Sequence, residues 1–313
     1  MKLIDLSAGR QTTLSPEGTV CCAIGNFDGV HVGHQELIRK AAARPDGVTK
    51  SAVWTFCEPS SRLLNRSVRL LTSMEERMAL FHAMGIDLVF LEDFERVRNM
   101  DAHRFAEEVL FRECHVRTAV CGFNFRYGSH AEGTAETLSQ FFHKLGAHVS
   151  VVPPCRIDGI TVSSSEIRAA IAHGDMERAS RMLGRSYSLT AEVVEGKHLG
   201  HKLGFPTINQ RFPTNRALPR FGVYASLVTA EDRQYHGVSN VGVRPTVEHT
   251  DQVNCETHIL NFDGDLYGKT VKVEFRHFLR PETKFENPAA LQDAVRKNIA
   301  ETRDFFHLTE GSL

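Results

Sequence analysis

The sequence has no apolar run of membrane-spanning length, no Cys-x-x-Cys pair, no internal repeat, no low-complexity stretch and almost no net charge. Each absence closes off a class of function. Without roughly 20 consecutive apolar residues no helix crosses a bilayer. The 37 Lys plus Arg stand against 38 Asp plus Glu, so no global field draws the chain to nucleic acid or an anionic membrane, and any phosphate recognition has to be local. The seven cysteines (Cys21, Cys22, Cys57, Cys114, Cys121, Cys155 and Cys255) are odd in number and mostly lie in apolar runs. That pattern predicts reduced, buried thiols and no disulfide framework. The opening Met1-Lys2-Leu3-Ile4-Asp5 has no signal-peptide core. The expectation is a cytoplasmic protein without nucleic-acid or membrane partners, with its oligomeric state left open. What is present is globular: 313 residues, 42% hydrophobic and 24% charged, enough for two ordinary domains.

From Thr19 to Val152 short apolar runs alternate with stretches of helical period. Thr19 to Ile24, Lys50 to Phe56, Asp87 to Leu91, Arg117 to Cys121 and His148 to Val152 read as strands covered on both faces. Between them, Gln35 to Ala43, Ser73 to Met84, Ala102 to Cys114 and Ala135 to Leu145 read as amphipathic helices. The sum is a doubly wound α/β domain with a parallel sheet. Two more helical stretches follow Ser163. From Tyr187 the pattern changes to short alternating runs near Ser188 to Glu195, Gly222 to Thr229, Tyr235 to Val241, Glu256 to Leu260 and Thr270 to Phe275, which suggests an antiparallel barrel. Asp263-Gly264 is expected as a hairpin turn between the last two, and Pro288 to His307 as a closing helix packed on the barrel. The expected domains are residues 1–183 and 187–313.

Gly25-Asn26-Phe27-Asp28-Gly29-Val30-His31-Val32-Gly33-His34 joins a strand to a helix. Free backbone N–H groups and the positive end of a helix dipole favour phosphate at such a turn, and its glycines let the chain come close. His31 and His34, three residues apart, can face one ligand and donate to phosphoryl oxygens as charge builds in an in-line displacement. A partner site is expected at the end of another strand. Ser163, Ser164 and Ser165, with Arg168 one turn on, can hold a departing pyrophosphate, although Ser163 and Glu166 also match a plain capping box. Asn124 and Arg126, in Gly122 to Gly128, can reach nucleotide or flavin groups, or sit in a loop anchored by Phe123 and Phe125.

In the second half, Gly196 and Gly200 precede Leu203-Gly204-Phe205-Pro206-Thr207-Ile208-Asn209. In an extended segment Thr207 and Asn209 point to one side, where a hydroxyl and an amide oxygen suit Mg²⁺ shared with ATP phosphates. The same residues can also satisfy a Pro-Thr turn. Glu256 and His258 share one face of their strand, and a carboxylate there can take the proton of a hydroxyl attacking a γ-phosphate or simply be solvated. Arg244, in a polar turn Asn240 to Thr246, can contact a phosphate or pair on the surface.

These motifs, in this order, resemble the bifunctional bacterial riboflavin kinase and FAD synthetase family over nearly the whole chain, with Asp263-Gly264-Asp265-Leu266-Tyr267-Gly268 among the matching segments. The resemblance implies a Rossmann-like nucleotidyltransferase domain that adenylylates FMN to FAD, releasing pyrophosphate. It implies a second domain, a kinase barrel that makes FMN from riboflavin and ATP, with Mg²⁺ at both sites. It implies ATP handling by His31, His34, Ser164 and Arg168, metal and nucleotide binding by Thr207 and Asn209, and Glu256 as base. His201, Ile208 and Thr134 depart from the family pattern. They leave open a flavin-binding regulatory protein on the same domains, or an enzyme retaining one of the two activities.

Overall fold

Parallel pairing organises the first half of the chain. In the computed structural model, which describes residues 1–7, 18–43, 49–65, 67–196, 200, 203–243 and 252–308, the chain forms two compact units, Met1–Ser164 and Ser165–Leu313. The first is built on strands β1 (Lys2–Asp5), β2 (Val20–Ile24), β3 (Lys50–Phe56), β4 (Leu88–Glu92), β5 (Val116–Gly122) and β8 (His148–Val152). Short ribbons β6 (Arg126–Tyr127) with β7 (Gly133–Thr134), and β9 (Arg156–Ile157) with β10 (Ile160–Thr161), decorate its loops. The sheet order is β1-β4-β3-β2-β5-β8, every neighbour parallel. Successive strands step outward one way from β2 and the other way from β5. The switch point of the sheet, where ligands bind outside the carboxyl ends of strands in this fold class, therefore lies between β2 and β5.

Alternating side chains fill a core on each face. Cys22, Ile24, Ala52, Trp54 and Phe90 pack with Phe105, Leu110, Leu138 and Phe142 on one side; Ala23, Val53 and Val89 pack with Phe27, Val30, Ile38 and Phe81 on the other. Helices Val32–Ala42 and Met74–Ala83 cover the second face, the latter closed by a capping box of Ser73 and Glu76. Two features differ from the expectation. The edge strand β1 precedes the expected first strand; of its four residues only Ile4 is buried, so it shows no strand periodicity. The expected helix Ala102 to Cys114 is α-helical only over Ala102–Arg104 and π-helical over Phe105–Glu113. Of the cysteines, all seven are free and four are buried, but Cys57 is exposed.

The second unit carries helix Met176–Leu183, which packs on β11 and β16. Its barrel consists of β11 (Tyr187–Glu192), β12 (Ile208–Arg211), β13 (Gly222–Ala230), β14 (Arg233–Val243), β15 (Val253–Ile259) and β16 (Thr270–Pro281). They are ordered β11-β16-β13-β14-β15-β12, and an isolated antiparallel bridge between Val194 and Asn209 ties the two ends together. β15 and β16 are not neighbours, so Asp263-Gly264 is no hairpin turn but part of a longer connection between strands that pair elsewhere. Asn240 lies within β14, not in a turn. Helix Pro288–Phe305, with Asn287 as N-cap and Pro288 in its first turn, packs on β13, β14 and β16 as expected.

Candidate active sites

The turn after β2 is under backbone strain and is held from several directions. Phe27 (φ 50°) and Val30 (φ 40°) adopt left-handed conformations, costly for any side chain and most for a β-branched one. The Asn26 side chain accepts from the Ser60 N–H at 3.2 Å and donates to Ser60 Oγ at 3.0 Å. Asp28 Oδ1 accepts from the N–H groups of Leu71 (2.9 Å) and Thr72 (3.3 Å), and the Gly29 N–H donates to Thr72 Oγ1 at 3.0 Å. These contacts commit the Asn26 amide and the Asp28 carboxylate to the shape of the turn.

His31 ends the turn as the N-cap of helix Val32–Ala42, its Nδ1 accepting from the His34 N–H at 3.2 Å. An acceptor Nδ1 places the proton of neutral His31 on Nε2. The two imidazoles stack at 3.5 Å between centroids and 16° between planes. Gly33 fits against them; a Cβ there would lie 3.3 Å from the His31 ring. Burial first, and the His31 ring second, hold the pKa of His34 well below the ordinary histidine value, so it is neutral at physiological pH. Its Nδ1 is buried without a hydrogen-bond partner among the described residues.

Ser164 Oγ donates to the Asp28 carbonyl at 2.9 Å, across 136 residues of sequence. The serine segment thus reaches the histidine turn, as the sequence led us to expect. Ser163 and Ser165 flank it and Arg168 lies one turn on, while the Glu166 carboxylate accepts from Arg178 at 2.9 Å. Asn124 and Arg126 follow β5 and are both exposed; their loop and the Gly25 turn leave β5 and β2, the two strands that flank the switch point. Phe125 packs on the core, but Phe123 is 49% exposed and anchors nothing. Thr134 caps helix Ala135–Lys144, accepting from the Thr137 N–H at 3.2 Å, which gives this departure from the family pattern a structural role.

In the barrel, Asn209 on β12 faces Glu256 on β15, and Glu256 faces Asn240 on β14, in register. Facing residues in antiparallel strands project to the same side, so amide, carboxylate and amide form one row. Gly196 lies against it: a Cβ there would be 2.4 Å from Asn209 Nδ2. A Cβ on Gly200 would be 2.4 Å from the Phe205 carbonyl and 3.3 Å from Thr207 Oγ1. Only glycine allows so close an approach. Glu256 and His258 share a face, and His258 Nδ1 donates to the Pro206 carbonyl at 2.9 Å, fixing the segment that leads to Thr207. Gln292 of the closing helix donates to the Leu203 carbonyl at 3.3 Å. Glu282 was missed by sequence reasoning: its Oε1 accepts from Asn240 Nδ2 at 3.3 Å, and the pair is 42 residues apart. Arg244 and His201 lie outside the described residues.

A parallel α/β unit with a stacked histidine pair at its switch point, followed by a barrel with a hydroxyl, amide and carboxylate site, defines a two-domain phosphate-transfer enzyme. Family models agree with each half: one described as FAD synthetase matches residues 14–166, and one described as riboflavin kinase matches residues 183–306. Relatives described as bifunctional riboflavin kinase/FMN adenylyltransferase include that of Pseudomonas fluorescens, 32% identical over 93% of this chain and 94% of its own. That of Bacillus subtilis is 30% identical over 98% of both chains. A solved structure from Streptococcus pneumoniae, titled a macrolide-efflux protein, superposes with a TM-score of 0.86 at 28% identity, covering 97% of this chain and 99% of that one. Among the described residues no helix is long and apolar enough to cross a membrane. The chain belongs to the bifunctional riboflavin kinase/FMN adenylyltransferase family. Membership makes it a kinase and a nucleotidyltransferase, with ATP, riboflavin, FMN and FAD as substrates and products.

Proposed function

We propose that the two reactions are divided between the two halves, with residues 1–183 converting FMN and ATP to FAD and pyrophosphate and residues 187–313 converting riboflavin and ATP to FMN and ADP. What supports this reading is that each half gathers polar side chains suited to phosphate chemistry, His31 stacked on His34 in one and the Asn209, Glu256, Asn240 row in the other.

In adenylylation an FMN phosphate oxygen attacks the α-phosphorus of ATP while the bond to the pyrophosphate oxygen breaks. Charge builds on the phosphoryl oxygens in an in-line transfer. His31, whose Nδ1 is engaged as the cap, donates through Nε2–H, with neutral His34 stacked beside it. The backbone of Gly25, Asn26, Phe27, Asp28 and Gly33 lets phosphate approach the helix entrance. Ser163, Ser164, Ser165 and Arg168 hold the departing pyrophosphate, and Asn124 and Arg126 contact the nucleotide or flavin.

In the barrel, Glu256 takes the proton of the riboflavin hydroxyl as its oxygen attacks the γ-phosphorus. Thr207 and Asn209 offer a hydroxyl and an amide oxygen, hard donors that fit Mg²⁺, beside a glycine cradle that a Cβ would fill. Two neutral donors suit a cation that completes its coordination with ATP phosphates. Bound Mg²⁺ would neutralise phosphate charge. Gly196 and Gly200 contact ATP in the same pocket, and Arg244 the flavin or nucleotide.

Paired variants of the full chain test the division. His31→Ala should abolish FAD formation from FMN and spare FMN formation from riboflavin, and Glu256→Gln should do the reverse. Loss of both activities in either variant, with the fold intact, would refute it.

A further inference from the structure

Arg77 is buried, 2% exposed, on helix Met74–Ala83. An arginine taken out of water is costly unless its donors are satisfied. Burial lowers its pKa, with the Asp28 charge opposing that shift. Its guanidinium reaches three carbonyls: Nη1 donates to Asn26 O at 3.2 Å and to Phe56 O at 3.3 Å, and Nη2 donates to Cys57 O at 2.9 Å. Phe56 ends the neighbouring strand β3 and Cys57 follows it, whereas Asn26 belongs to the histidine turn, 51 residues away. Thr55 Oγ1 donates to the same Asn26 carbonyl at 3.2 Å.

That carbonyl begins the peptide leading into Phe27, whose left-handed φ of 50° a phenylalanine does not adopt unaided. In that conformation the Phe27 ring meets the His34 ring edge-on at 5.2 Å and Phe81 at 5.7 Å. His34 in turn stacks on His31. A continuous path of contacts therefore runs from the guanidinium through the Asn26–Phe27 peptide and the Phe27 ring to the imidazole pair.

We propose that Arg77 is a positioning residue for adenylyl transfer, clamping the Asn26–Phe27 peptide to the end of β3 so that Phe27 holds His34 and His31 in reacting geometry. It touches neither substrate. The proposal rests on the reading that the first half makes FAD, so wild-type protein must first convert FMN to FAD; failure there would overturn that reading and this proposal together, whereas a normal wild-type rate with unaffected variants overturns this proposal alone.

The test uses the full chain with Arg77→Met, Arg77→Lys and Thr55→Val, measuring kcat and KM for ATP and FMN in adenylylation and the riboflavin kinase rate of the same samples. A displacement of about 1 Å in a catalytic group costs on the order of 100-fold in rate. Arg77→Met is therefore expected to lower the adenylylation kcat by roughly 30- to 100-fold. Both KM values should stay within about threefold and the kinase rate should be unchanged. Lysine, able to reach some of the same carbonyls, should recover most of the loss. Thr55→Val, which removes the other donor to Asn26 O, should lower kcat by roughly three- to tenfold. The proposal is overturned if folded Arg77→Met keeps kcat within threefold, if its loss lies in KM for ATP, or if lysine restores nothing. Should Arg77→Met not fold, Thr55→Val decides: a normal kcat overturns the proposal.

Discussion

Replacing Gly196 by alanine should disable the kinase while leaving adenylylation untouched, and the size of the effect follows from the packing. A Cβ at Gly196 would lie 2.4 Å from Asn209 Nδ2, 2.7 Å from its Cγ and 2.9 Å from its Oδ1. Contact distances between such atoms are about 3.5 Å, so the whole amide must retreat by roughly 1 Å. It has little room, since Asn209 is 6% exposed and its carbonyl accepts from the Val194 N–H at 2.8 Å. Overpacking of this kind costs about 1–3 kcal/mol, to be read from the melting of the second unit. A 1 Å shift of a group proposed to hold the metal beside ATP should lower riboflavin phosphorylation by roughly 100-fold. The assay follows FMN from riboflavin and FAD from FMN in one preparation of the full chain. In an Asn209→Ala background the same glycine change should do almost nothing, because the clash disappears with the amide. Retention of kinase activity within twofold, or a parallel fall in adenylylation, would refute the reasoning.

Three other outcomes follow, the first two from the first unit. Because His31 is both cap and proposed donor, His31→Asn should keep the cap and lack the reaction, whereas His31→Ala should also lose about 1 kcal/mol of stability; thermal melts of the two variants separate the roles. His34 has a folded pKa below its unfolded value of 6.5, so protonation favours the unfolded chain. Stability of this unit should fall as pH drops below about 6.5, by at most about 1.4 kcal/mol per pH unit, and His34→Gln should flatten that slope in melts between pH 5 and 7.5. Chelation of Mg²⁺ with EDTA should stop both reactions, and added Mg²⁺ should restore them; turnover undiminished by EDTA would exclude Thr207 and Asn209 as metal ligands.

Much of this architecture was legible because it is local or periodic. Lys50 to Phe56 is a strand with the expected bounds, since a run buried on both faces reads without ambiguity; His148 to Val152 also has the expected bounds, but it is an edge strand in which only Val152 is buried, not one covered on both faces. His31, His34 and the Ser164 segment stood out because short motifs carry their own chemistry, and the structure joins Ser164 to the histidine turn. Residues that act through partners far away in sequence stayed hidden. Arg77 reads as one more charge on a helix until its bond to Asn26, 51 residues away, is seen. Thr72, which holds Gly29, and Glu282, which holds Asn240, are invisible for the same reason. The pairing of β15 and β16 with other strands than each other is equally non-local, and a turn dipeptide between them could not reveal it.

The central claim, two phosphate-transfer sites on one chain, is tested most directly by following riboflavin with ATP and Mg²⁺ while resolving FMN, FAD, ADP and pyrophosphate together. FMN should rise and then decline as FAD forms, with ADP matching FMN plus FAD and pyrophosphate matching FAD alone. FMN accumulating without FAD, or flavin held without release of ADP and pyrophosphate, would contradict it.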